Sequence, residues 1–332
     1  MKNFLFASKS WNIISLFILQ IFLVVHVYAV EPGAYPNQTV HVTTPFPPGG
    51  AADVVVRLVS QKLSEELGVS FIVENRPGAG GSIGAKYISQ LPPDGYNLLI
   101  TSSSTMSINP HFMKKIGYDP FTSFTPISLV GYSPNVFVVT PNLPFKTVQE
   151  FITAAKAHPG KYNFASNGPG TSSHLTGELF QQSAGVEMLH VPYKGASPAV
   201  VDVAGGQVTG LFAAFASVGP LIKSGKLKAL GVTSLKRMDV APQIPTFNES
   251  GLPNFESLQW WAVFAPANLP VNIQVKLNDA MNKILKQPET KARFAEESIF
   301  VLGGSPEDLK TYLRNDYNKW GKLISSGKFS LN

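Results

Sequence analysis

The feature that most restricts this chain is a short apolar strand that runs into a Pro/Gly loop and straight on into an amphipathic helix, written several times over. The first copy has a strand at 39–44, the loop Pro45-Phe46-Pro47-Pro48-Gly49-Gly50, and a helix with Val55, Leu58, Val59, Leu63 and Leu67 at three- and four-residue spacings before Gly68. The second has a strand at 71–74, the loop Arg76-Pro77-Gly78-Ala79-Gly80-Gly81, and a helix over 83–90. After the turn Pro92-Pro93-Asp94-Gly95 comes a third strand, 96–101. The later segment Asn167-Gly168-Pro169-Gly170-Thr171-Ser172-Ser173 follows a strand at 163–166 and repeats the opening arrangement, and Val191-Pro192-Tyr193-Lys194-Gly195 precedes another helix. Such alternation predicts an α/β fold with a mostly parallel sheet covered by helices, and it places ligands beyond the carboxyl ends of the strands.

The N-terminus carries Lys2 and Lys9 ahead of an apolar run that ends Val27-Tyr28-Ala29, the form of a secretory signal peptide cleaved after Ala29. The competing reading is an uncleaved anchor, which 11–28 is just long enough to form. Cleavage leaves 303 of the 332 residues, enough for two domains. With no cysteine, disulfides, a thiol nucleophile and a lipidated cysteine are all excluded, so stability must come from packed cores. The formal charge of +6 falls to +4 once Lys2 and Lys9 are removed, and it is spread without a basic run. That balance favours anionic ligands and gives no surface for nucleic acid.

A glycine loop leading into a helix N-terminus is an anion seat, because unpaired N–H groups and the positive end of the helix dipole face the loop. The hydroxyl-rich runs Thr101-Ser102-Ser103-Ser104-Thr105 and Thr171-Ser172-Ser173 supply further donors. The plainer reading of any one loop is a turn and a cap; several at equivalent strand ends favour the seat. Other chemistry is poorly supported. The segment 78–84 lacks a P-loop lysine and the Gly-x-Gly-x-x-Gly spacing, no Gly-x-Ser-x-Gly elbow exists, and the six histidines have no metal-ligand spacing. His174, alone on its helix, reads first as a capped or core residue, Asp53 as an N-terminal charge complement, Arg57 as a surface residue, and Trp260-Trp261 as core or hinge.

These segments together resemble the Bug/TctC family, the periplasmic substrate-binding receptors of tripartite tricarboxylate transporters. The resemblance rests on 44–50 with Asp53 and Arg57, on Glu74-Asn75-Arg76-Pro77-Gly78-Ala79-Gly80-Gly81, on 166–171 with His174-Leu175, and on Val191-Pro192-Tyr193-Lys194-Gly195. Pro245-Thr246 with Glu249 and Trp261 with Ala265-Pro266 extend it over essentially the whole mature chain. It implies a two-domain periplasmic-binding-protein fold of type II with the ligand in the interdomain cleft. One domain would be 36–130 plus 258–332, the other 131–257, after a signal peptide at 1–29. It further implies a small carboxylate ligand, no cofactor, no metal, a monomer in the periplasm, and membrane permease subunits as partners.

The site residues carried over are Phe46, Pro48, Gly49 and Gly50 from the first loop, and Ser166, Gly168, Gly170 and Thr171 from its counterpart, with His174 behind. Ser102, Ser103 and Thr105 would add side-chain contacts. One departure is informative: relatives commonly have Asp-Asn where this chain has Ala213-Ala214. That substitution predicts a ligand with a more apolar or bulkier end and no ammonium group. Two other readings are a sensor feeding a two-component system, and a serine hydrolase using a serine of 101–105 or 171–173 with His174.

Overall fold

A computed structural model describes residues 35–113 and 115–325. The predicted signal peptide and its cleavage point lie outside the described residues. The strands, among those residues, are β1 Val40–Thr44, β2 Phe71–Asn75, β3 Asn97–Ser102, β4 Phe124–Val139, β5 Asn163–Ser166, β6 Leu189–Pro192, β7 Gly210–Ala214, β8 Lys228–Val232, β9 Leu258–Pro266 and β10 Phe300–Val301. The helices are α1 Ala51–Leu67, α2 Ser82–Ser89, α3 Asn109–Phe112, α4 Val148–Ala157, α5 Ser172–Ala184, α6 Ala196–Ala204, α7 Phe215–Lys223, α8 Val271–Lys286, α9 Pro288–Glu296 and α10 Pro306–Ser325.

The strands follow the order β2-β1-β3-β9-β4-β7-β5-β6, with β8 and β10 added to β4. β1 is parallel to both β2 and β3, and β5 is parallel to both β6 and β7. Between these flanks, β9 and β4 run antiparallel to their neighbours. The expectation of a mostly parallel sheet therefore holds for the two flanking triads and fails at the centre.

Sequence periodicity hides the central strands for identifiable reasons. β4 contains Pro126 and Pro134, which normally end a strand; here register shifts between Pro126 and Ser128 and between Leu129 and Gly131 relieve the pairing. β9 reads LQWWAVFAP and is buried on both faces from Trp260 to Pro266, so it has no alternation to detect.

The long β4 passes from one half of the sheet to the other, its first part beside β9 and its last part between β7 and β8. Each half has its own core. Leu99, Met106, Trp260, Phe264, Leu309 and Leu313 fill the first, while Phe137, Phe151, Phe180, Phe212 and Phe247 form an aromatic core in the second. Phe137 and Phe212 stack at 4.5 Å between ring centroids.

Candidate functional site

A cavity of about 630 Å³ lies where the loops that follow the parallel strands meet. Phe46, Pro48 and Gly50 line it after β1, Pro77 and Gly80 after β2, and Ser104 after β3. Asn167, Gly168 and Thr171 line it after β5, Tyr193 and Lys194 after β6, and Ala214 and Ser217 after β7. Gln259 and Trp261 reach it from β9. The N-terminal turns of α1, α5 and α6 all begin at this wall, so the positive ends of their dipoles converge on one volume.

The first loop is held from behind. Gly49 sits at φ +86°, a left-handed conformation that favours glycine, whereas Gly50 is extended at φ −99°. The Gly49 N–H donates to Asp53 Oδ2 at 3.2 Å, and Arg57 Nε donates to the same oxygen at 3.0 Å. Asn75 Nδ2 bridges Asp53 Oδ1 at 3.1 Å and the Phe46 carbonyl at 2.9 Å. Burial alone would raise the Asp53 pKa, but the hydrogen bonds from Arg57, Asn75 and Gly49 outweigh it and hold the carboxyl below its usual range. Asp53 thus anchors the loop and is already neutralised. A β-carbon added at Gly50 would meet only the Ala196 Cβ, at an ordinary 3.8 Å, so the fold does not require glycine there.

The second loop is held by imidazoles. The Gly168 N–H donates to Ser166 Oγ at 3.1 Å, which lies 2.6 Å from His190 Nε2, and the Gly170 N–H donates to His174 Nδ1 at 3.2 Å. The two rings stack at 3.9 Å between centroids with 13° between planes, and Phe164 stacks on His190 at 5.0 Å. Charging both rings at that distance would cost about 4 kcal/mol at an effective dielectric of 20. Burial, and then the neighbouring His174, push the His190 pKa down to about 3. Thr171 caps α5, accepting from the His174 N–H and donating to the Gly168 carbonyl at 2.7 Å.

Of the residues predicted for the site, Phe46, Pro48, Gly50, Gly168 and Thr171 line the cavity. Gly49, Ser166, Gly170 and His174 belong to the supports just behind it. Ser102, Ser103 and Thr105 are fully buried and off the wall, because β3 continues through Ser102 and a π-type turn over Ser104–Ile108 brings Ser104 forward instead. Ser104 Oγ accepts the Ser172 N–H at 2.8 Å, linking the third loop to the start of α5. No serine hydroxyl bonds to His174, and Ser166, which does meet a histidine, is fully buried away from the cavity.

Sequence reasoning did not assign Tyr193, Lys194, Asn167, Trp261 or Asn109. The first two stand on a strand–glycine–helix repeat that was visible and could have been placed at the site. Tyr193 gives the cavity its ring, since its hydroxyl donates to Asp202 at 2.6 Å; burial and that carboxylate push its pKa up to about 12. Trp261, read from the sequence as core or hinge, is buried on β9 and also lines the cavity; its indole Nε1 has no hydrogen-bond partner among the described residues. Asn109 Nδ2 reaches the carbonyls of Ala79 and Gly80 and ties that loop in place. Among the described residues no aspartate or glutamate lines the cavity, and Lys194 is the charged residue at its wall.

Two α/β halves joined through central antiparallel strands, with a cavity where loops from both meet, define the class of two-domain periplasmic binding proteins. The solved structure of the periplasmic binding protein BugD agrees, with a TM-score of 0.83 and 34% identity over 88% of this chain and 98% of BugD. The chain belongs to the tripartite tricarboxylate transporter family receptors, whose family model matches residues 55–328. A UPF0065 protein from the tcbD-tcbE intergenic region of Pseudomonas sp. strain P51 is 38% identical over 300 residues, 90% of this chain and 89% of that protein. The R. palustris protein Rpa4515, solved with adipate, superposes with a TM-score of 0.85 at 33% identity, over 88% of this chain and 97% of its own.

Proposed function

We propose that this chain is a periplasmic receptor that captures a small carboxylate in the cavity and delivers it, closed, to the membrane permease subunits of a tripartite tricarboxylate transporter. The observation that carries this reading is the convergence of the α1, α5 and α6 N-termini on a wall without an acidic side chain. Helix dipoles give about 0.3–1 kcal/mol each, well short of the ~8 kcal/mol of micromolar affinity. Charge-assisted hydrogen bonds at roughly 1.5–3 kcal/mol apiece supply the rest. The role assigned is binding rather than turnover, in a monomer.

In this reading the lobes are 36–130 with 258–332, and 131–257, moving about β4 and the start of β9. The bonds Ser172 N–H to Ser104 Oγ at 2.8 Å and Ala51 N–H to Ser217 Oγ at 3.3 Å cross between them and belong to the closed state. Ligand contacts from both lobes exist together only there, so binding shifts the population toward closure.

The ligand is an acid without an amine. Among the described residues no carboxylate on the wall is placed to pair with an ammonium group, and Phe46, Met113 and Trp261 offer an apolar surface. Adipate, the compound bound by Rpa4515, has this character. A thermal-shift panel of mono-, di- and tricarboxylates tests the reading. A ligand at 100 times its Kd adds about 2.7 kcal/mol, raising Tm by roughly 4–8 °C at this size; a flat response to the whole panel refutes it.

A further inference from the structure

We infer that His174 and His190 act as a pair of neutral hydrogen-bond acceptors that set the cavity-facing shape of the loop 166–171, so that ligand affinity depends on both rings remaining uncharged. This rests on the carboxylate-receptor reading only for what the loop binds; the anchoring itself is a property of the empty protein.

The geometry fixes the proton positions. His174 Nδ1 receives the Gly170 N–H at 3.2 Å, so its ring proton is on Nε2, 3.6 Å from Glu178 Oε1. Ser166 is fully buried and, among the described residues, His190 Nε2 at 2.6 Å is the acceptor within reach of its hydroxyl proton, an assignment that leaves the His190 proton on Nδ1. Both glycines have positive φ, 125° at Gly168 and 73° at Gly170, and each has its amide held by this pair, one directly and one through Ser166. Protonation turns each acceptor into a donor. At His174 it sets two N–H groups against each other; at His190 it strands the buried Ser166 proton.

The charges around the pair are few. Glu178, on the His174 helix, has its Oε1 3.6 Å from His174 Nε2. The stacked rings at 3.9 Å oppose a second charge. From β5 the pair meets only Phe164 and Ser166, both uncharged. Burial and the neighbouring ring both hold His190 neutral. Among the described residues a pair of this kind is met nowhere else in the site: the first loop uses the carboxylate Asp53 for the same task.

The test begins on the ligand-free protein. Nitrogen-15 NMR at pH 7.5 should find His174 as the Nε2–H form and His190 as the Nδ1–H form, with slow amide exchange at Gly168 and Gly170. His190→Leu should speed exchange at Gly168 at least tenfold and His190→Gln, which keeps an acceptor, should restore it; His174→Leu and His174→Asn should do the same at Gly170. Reversed tautomers, or exchange unchanged in the leucine variants, overturn the inference. If a leucine variant does not fold, the wild-type tautomers and exchange decide alone. Adipate calorimetry separates the two readings. Correct tautomers with no response to adipate or any other panel carboxylate would refute the functional reading and leave the anchor standing; a carboxylate response with reversed tautomers would refute the anchor alone.

Discussion

At the scale of single residues, the two glycines of the first loop do different work. Gly49 needs its left-handed φ of +86°, and an added Cβ would lie 3.3 Å from Ser197 Oγ. Gly50 needs neither, so its missing side chain is explained by what approaches from the cavity. Gly50→Val should leave chemical-denaturation stability within about 1 kcal/mol, the scale of an N-cap change, while carboxylate binding is lost; retained binding would reduce the glycine to a turn former. His190 makes a second prediction. Its pKa is depressed in the fold to about 3 from an ordinary 6.5, so the unfolded chain binds the extra proton between those values. Its stabilising contribution is complete above about pH 6.5 and fades as pH falls toward 3. The Tm of wild type should therefore fall relative to that of His190→Gln as pH drops from 7.5 to 4.5; a constant difference would contradict this.

At the scale of elements, the site depends on loops clamped from behind by single polar side chains. Asn109, which opens α3, donates to Gly80 O at 2.8 Å and Ser82 Oγ at 3.1 Å and touches the second loop beside Gly170. Asn109→Ala removes the side-chain donor from the Ala79 carbonyl and leaves the Gly80 carbonyl the longer bond from Thr105 Oγ1 at 3.3 Å, so it should cost about 1–3 kcal/mol in denaturation measurements; a change under about half a kcal/mol would show that the loop holds itself. The strand–glycine–helix copies were legible because their periodicity is local, and of the residues they proposed, Phe46, Pro48, Gly50, Gly168 and Thr171 line the cavity. Ser102, Ser103 and Thr105 went astray by a turn's geometry: composition marks a hydroxyl-rich run but not which member a π-type turn presents. Trp261 reads as core or hinge because a strand buried on both faces carries no alternation to show which side chain meets a cavity; that is set by β3 and β4 on either side.

At the scale of the whole molecule, two cores joined by β4 and β9 suit the lobe closure proposed above. Small-angle scattering of the mature protein should give a smaller radius of gyration with a saturating carboxylate than without; an unchanged radius on proven binding would contradict closure as the response. The net charge of +4 after signal removal, with Lys194 at the wall, steers anions inward, so the association rate should fall as salt rises from 10 to 150 mM, where the screening length shrinks from about 30 to 8 Å. The central claim is that this cavity accepts a carboxylate and refuses an amine. Calorimetry with acid pairs that differ by an α-amino group, adipate against 2-aminoadipate and succinate against aspartate, tests it most directly. The account predicts that the amine-free member of at least one pair binds, more than tenfold tighter than its partner and not at all to Gly50→Val; equal or tighter binding of the amino acids would contradict it.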